Sequence, residues 1–173
     1  MNTITVDLKQ RTIPWMKWRS EPGAITGTAA RVLMGLGYDG ETPKTLYLER
    51  RGLISIDRSN LWPVIRGQEM EAEACDALSA ELFDGDFLHE ACFEYPDNRL
   101  FRFSADRVCL QRQIFAEVKV PTNASLEKVL ALDEDSEVYR RAYPQIQWGL
   151  LVTGFAAAIL YVWTPTGSRP FRV

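Results

Sequence analysis

The chain has 173 residues, 46% hydrophobic and 25% charged, which suits one globular domain with its own core over residues 1–173. Twenty Lys and Arg stand against 23 Asp and Glu, a net charge of −3, which excludes a generic polycation that grips nucleic acid by charge alone. Three scattered cysteines, Cys75, Cys92 and Cys109, exclude a disulfide framework and a CxxC metal site. The first residues, MNTITVDLKQRTIPW, carry no basic stretch followed by an apolar run, so no secretory signal is expected. With its cysteines reduced, the chain is expected in the cytoplasm.

The first predicted element is a helix over 26–35, with Thr26 or Thr28 near its cap. A second spans 42–52, with Pro43 at its start and Gly52 at its end. A long helix covers about 61–83, because Ile65, Met70, Ala74, Ala77, Leu78 and Leu82 form one apolar stripe. Asp84-Gly-Asp86 breaks it. Strands follow over 87–95, 100–104 and 114–120, with a turn at Pro96-Asp-Asn98 between the first two and Pro121 ending the third. A helix over 125–132 and an acidic loop lead to a helix over 143–152 and a strand over 157–163. Helices, an antiparallel meander, a helix and a strand describe an α/β domain with a central mixed sheet flanked by helices.

The uncharged run from Trp148 to Trp163 admits a rival reading as a membrane anchor. A spanning helix needs about 20 apolar residues. This run is shorter, and Gly149 and Gly154 interrupt it. A helix that starts at Pro144 and stops at Gly154, followed by a buried strand, accounts for the same letters. On that reading no membrane is involved.

The chemistry rests on carboxylates. His89 is the only histidine, and no serine or cysteine motif supports a nucleophile beside it. No GxxxxGK[ST] or GxGxxG loop is present. In the strand Ile114-Phe-Ala-Glu-Val-Lys119, Glu117 and Lys119 share a face, since side chains alternate along a strand. The plain reading is an ion pair at a sheet edge. The sharper reading joins Asp106 and Glu117 as hard oxygen ligands for Mg²⁺ or Mn²⁺, with Lys119 holding or activating an attacking water.

Five motifs extend the sharper reading. They are Arg19 with Ala24-Ile-Thr-Gly-Thr28, then Arg66-Gly-Gln-Glu-Met-Glu71, then Ser104-Ala-Asp106, then Glu117-Val-Lys-Val-Pro121, and Gln145-Ile-Gln147 with Leu151-Val-Thr153. In content and order they resemble the PD-(D/E)XK nuclease superfamily, specifically its phage λ exonuclease/YqaJ-like viral recombinase family. The resemblance implies a restriction-endonuclease-like core. Asp106 and Glu117 match its metal-ligand carboxylates, with the Val118 carbonyl as a further ligand. Glu71 matches the helix-borne acid; Glu69 and Glu73 lack the required offset from the glycine. Lys119 matches the catalytic lysine, and Gln145 the glutamine that touches nucleophile or substrate. Arg19, Thr28 and Ser104 stand where the family binds a 5′-phosphate.

Ala105 replaces the usual proline, Arg107 a glycine, Thr28 a serine and Arg66 a tryptophan. Arg19 also lies slightly further from its motif than usual. These departures touch end recognition more than the carboxylates and lysine. The resemblance implies a Mg²⁺- or Mn²⁺-dependent 5′→3′ exonuclease on linear double-stranded DNA, used in phage recombination. It also implies a single-strand annealing protein as partner. It implies a homo-oligomer too, a trimeric ring in larger relatives that carry a C-terminal helical extension. The alternatives are an endonuclease of restriction or repair type and an inactive DNA-binding protein on the same fold. An iron–sulfur relative is disfavoured, because three scattered cysteines fall short of four ligands.

Overall fold

The computed structural model describes residues 3–58, 60–84, 86 and 88–173. One sheet orders its strands as β1 (Ile4–Val6), β2 (His89–Tyr95), β3 (Asn98–Cys109), β4 (Ile114–Lys119), β5 (Ala157–Thr164) and β6 (Gly167–Arg172). All neighbours are antiparallel except β4 and β5. A parallel pair needs a long crossover. It is supplied by α5 (Asn123–Leu132), a 3₁₀ turn at Asp133–Asp135 and α6 (Glu137–Thr153). Between β1 and β2 lie α1 (Ile13–Ser20), α2 (Gly27–Leu33), α3 (Pro43–Arg50) and α4 (Trp62–Leu82). The expected α/β class, a mixed sheet with flanking helices, is therefore the one observed.

Helices cover the sheet on both faces. On one, Ile146 and Val152 of α6 pack against Phe93, Phe103, Phe115 and Leu160. On the other, Ala74, Cys75 and Leu78 of α4 meet Val118, Tyr161 and Trp163. Each fully buried large side chain contributes roughly 1.5–3 kcal/mol. Strand β5 sits between two neighbours and under both layers, which explains its nearly continuous apolar sequence.

Gly149 brings α6 onto the sheet. A Cβ there would stand 2.6 Å from both Phe103 Cζ and Phe115 Cζ, inside van der Waals contact. Overpacking of this kind costs about 1–3 kcal/mol. Gly149→Ala is therefore expected to lower the melting temperature by about 3–10 °C in calorimetry. An unchanged melt would mean that the two rings have room to give.

Several expected boundaries move. Strand β3 is far longer than 100–104, so Asp106 lies inside a strand rather than at its end. Its alternating polar residues hid its length. Helix α6 begins at Glu137, not at residue 143, because Ser136 caps it by accepting the Tyr139 N–H, at 3.3 Å. Pro144 therefore sits within the helix rather than at its start. Strands β1 and β6 and helix α1 were not anticipated. The expected strand start at Phe87 and the central residue of the break, Gly85, lie outside the described residues. The Trp148–Trp163 run is the end of α6 and then β5. The chain turns at Gly154, whose left-handed φ of 69° suits glycine. Among the described residues no helix is long and apolar enough to cross a membrane.

Candidate active site

Strands β3 and β4 separate where the site begins. Their last registered pair is Arg107 opposite Ala116, and the next residues are Asp106 and Glu117. Beyond that pair, side chains replace the ladder. The Asp106 carboxylate accepts the Val118 N–H at 2.8 Å, and the Arg107 guanidinium donates to the Asp106 carbonyl at 2.7 Å. Within a strand, the N–H and C=O of one residue leave by the same edge. The Val118 carbonyl is thus directed to the Asp106 side, and Val118 lines the cleft there.

The cleft has a volume of about 980 Å³. Asp106 and Ser104 of β3 line it together, two residues apart on one face. Lys119 follows from β4, and its Nζ donates to Glu117 Oε1 at 2.5 Å. Gln145 of α6 donates to the same oxygen at 2.5 Å. Gly27 makes room for it, since a Cβ there would come within 2.7 Å of Gln145 Cγ. Glu71 of α4, Arg19 of α1 and Thr28 of α2 also line the cleft. All eight side chains singled out from the sequence thus converge on one cleft or on a group lining it.

Electrostatics single out the carboxylates. Burial and the neighbouring Glu117 raise Asp106 to about 7, against the opposing pull of Lys119 and the Val118 N–H. Burial and Asp106 likewise raise Glu71, opposed by Arg11. Burial disfavours the Lys119 charge, but Glu117 and Asp106 outweigh it and its pKa rises, so the side chain is an ammonium at neutral pH. Burial and Arg50 lower Arg19, with Glu117 among the groups that oppose them. Its guanidinium lies over Trp15, 4.4 Å from the ring centroid. Helix α1, which carries both residues, is capped by Thr12.

One buried carboxylate oxygen is left over. Glu117 is 2% exposed, and while Oε1 takes two donors, Oε2 has no hydrogen-bond partner. A buried unpaired carboxylate oxygen is costly. Beside a second carboxylate it calls for a cation. Among the described residues no three His, Cys, Asp or Glu side chains gather into a ready-made cluster. Glu71 is engaged by Arg11. What Asp106, Glu117 and the Val118 carbonyl offer is oxygen alone. That donor set fits Mg²⁺ or Mn²⁺, which tolerate few protein ligands and keep several waters.

Arg11 escaped the sequence reading. Its partner is 60 residues away, and its one local mark is a φ of 63°, unusual for a residue other than glycine. Arg31, Tyr38 and Arg141, which also line the cleft, were missed too. Arg141 stands one helical turn before Gln145 and was open to detection on that spacing.

A family model described as the YqaJ-like viral recombinase domain matches residues 14–156, a span that contains the eight side chains singled out from the sequence but not Arg11. Two solved structures are similar. One is an alkaline exonuclease, LHK-Exo, from Laribacter hongkongensis, at 16% identity and a TM-score of 0.66. The other is LHK-Exo in complex with dAMP, at 17% identity and a TM-score of 0.68. Each alignment covers 91% of this chain and 81% of the other, so the fold is shared over nearly the whole length. No curated protein matches the chain.

Proposed function

The chain belongs to the YqaJ-like viral recombinase family, and we propose that it is a metal-dependent 5′→3′ exonuclease that degrades linear double-stranded DNA. The observation that carries the proposal is Glu117. Its Oε2 is buried and unpaired beside Asp106, while Lys119 and Gln145 hold its Oε1. A structural ion pair at a sheet edge would not need a buried orphan oxygen, a second carboxylate and a cleft of this size. The family and the fold shared with an exonuclease support the same reading.

Asp106, Glu117 and the Val118 carbonyl would hold Mg²⁺ or Mn²⁺, with Glu71 completing the acidic wall. The chemistry such an ion supplies when bound is neutralisation of phosphate charge and easier deprotonation of water. The protein's own groups do the rest. Lys119, kept charged by Glu117 and Asp106, donates to the water or to a phosphoryl oxygen. Gln145 fixes the Glu117 carboxylate. Arg19, Thr28 and Ser104 bind the 5′-terminal phosphate, for which a guanidinium and two hydroxyls are apt donors. Hydrolysis of the P–O3′ bond leaves a new 5′-phosphate on the shortened strand, which re-enters the same site. The released nucleoside monophosphate is of the class found bound to LHK-Exo, dAMP. The surviving 3′ overhang is the form an annealing protein takes up, in the cytoplasm of a host cell.

The test uses linear duplex with 5′-phosphate or 5′-hydroxyl ends, with Mg²⁺ or with EDTA. The proposal expects degradation only with Mg²⁺, faster from 5′-phosphate ends. Cutting of closed circular duplex would make the enzyme an endonuclease. Binding without hydrolysis under every condition would make it a DNA-binding protein on a nuclease fold.

A further inference from the structure

Beyond the carboxylates, the cleft holds a second cluster. The guanidinium carbons of Arg31 and Arg141 lie over the Tyr38 ring, 4.4 Å and 4.5 Å from its centroid. All three residues line the cleft. Tyr38 is 54% exposed, whereas Arg31 is only 8% exposed. The loop that carries Tyr38 is built to stay in place. Its backbone N–H donates to Glu41 Oε2 at 2.9 Å. Gly37 permits the tight approach, since a Cβ there would stand 2.4 Å from the Glu41 carbonyl oxygen.

Two like charges converging beside a cleft need a reason. Arg31 gives Glu41 one hydrogen bond, at 2.6 Å, and Arg141 pairs with the exposed Glu137 at 2.8 Å. Arg58 also approaches Glu41, at 3.3 Å, so that carboxylate is shared. Arg31 Nε is buried without a hydrogen-bond partner. A guanidinium presents five donors, and an unpaired buried donor is costly. The cluster therefore has donors to spare, and its residues line the cleft.

Position indicates what they meet. Arg31 follows Thr28 by three residues on α2, and Arg141 precedes Gln145 by four on α6. Each step is about one helical turn, roughly 5.4 Å. Both helices thus step from the Gly27–Gln145 contact to the Tyr38 ring. That displacement is close to the separation of successive phosphates along one strand. Tyr38 and Lys119 line the same cleft. Beyond Arg141 the surface continues into a second concavity of about 450 Å³, whose lining includes Lys128 and Arg140 as well as Asp135 and Glu137.

We infer that Arg31 and Arg141, braced on Tyr38, form a second phosphate site that holds the bound DNA strand at a phosphate beyond the scissile one. The inference rests on the nuclease reading for which strand is held, but its test does not rest on hydrolysis. Binding is measured by fluorescence anisotropy in EDTA. The probes are 5′-phosphorylated duplexes carrying one neutral methylphosphonate at each of the first few linkages in turn. In the wild type, neutralising one particular linkage interior to the scissile one should weaken binding roughly tenfold. Arg141→Gln should bind the unmodified duplex roughly tenfold more weakly. It should show no further loss at that linkage, and its slope of log affinity on log salt should fall by about one. A melting curve like the wild type's confirms that the variant is folded. For the buried partner, Arg31→Lys keeps the charge but not the fork, and is expected to be intermediate. If Arg141→Gln stays as sensitive as wild type at every linkage, or if no interior linkage matters, the site does not exist. A wild type that binds with this pattern yet never degrades DNA with Mg²⁺ would sink the nuclease reading and leave the phosphate site standing.

Discussion

Glu117→Gln and Lys119→Ala should each reduce Mg²⁺-dependent degradation of linear duplex by about 10³-fold, while leaving the protein folded. The two changes remove different things. Glu117→Gln keeps the size of the side chain but replaces a carboxylate that holds Lys119 and Gln145 through Oε1 and leaves Oε2 open. The amide cannot serve as an anionic ligand, and Lys119 loses the charge that helps to keep it protonated. Lys119→Ala leaves both carboxylates but removes the cation proposed to meet water and phosphate. A purely structural pair predicts the reverse pattern, with a lower melting temperature and unchanged turnover. Acid-soluble nucleotide release, measured beside a thermal melt of each variant, separates the two cases. Activity within a few-fold of wild type in either variant would refute the assignment of the site.

The core of this site was legible because strand periodicity is rigid. Given a strand over 114–120, Glu117 and Lys119 must share a face. Asp106 joined them through its motif, and the structure sets it one step past the last registered pair of β3 and β4. Helix α2 was legible from its cap, Thr26, whose side chain accepts the Ala29 N–H. What was not legible depended on tertiary partners. β6 reads Gly-Ser-Arg-Pro-Phe-Arg, and a proline argues against a strand. It is tolerated because β6 is the edge of the sheet, where one side needs no partner. β1 has only three residues and is defined by its pairing with β2. The charges of β3 broke its apolar pattern, and one of them, Asp106, lines the cleft beside Ser104. Arg11 and the Arg31–Tyr38–Arg141 cluster acquire meaning only when the fold joins α1, α2 and α6 around one space.

Asp106→Asn should abolish the nuclease and yet raise the melting temperature of the metal-free protein. Burial and Glu117 hold the folded-state pKa of Asp106 at about 7, above its ordinary value of 3.8. The folded protein therefore binds the proton more tightly than the unfolded chain does. Stability from this group is present in full below the unfolded value, and it is lost as pH rises through about 7. At pH 8 in EDTA the charged carboxylate opposes folding, and asparagine removes that opposition. Its side-chain oxygen can still accept the Val118 N–H, so the junction of β3 and β4 is kept. A relief of about 1–2 kcal/mol corresponds to roughly 3–6 °C for a chain of this size. The difference should shrink toward pH 5, where wild-type Asp106 is itself protonated. Mg²⁺ should reverse the order. Binding stabilises the wild type by about 2.7 kcal/mol at a hundred times its dissociation constant, whereas the variant lacks a ligand and gains little. Because the proton and the ion compete for one carboxylate, the wild-type affinity for Mg²⁺ measured by calorimetry should weaken as pH falls from 8 to 6. Melting curves in EDTA and in Mg²⁺ at the three pH values decide the matter. If asparagine destabilises the metal-free protein at pH 8, Asp106 is a structural acceptor for Val118 and not one of two carboxylates held together for a cation.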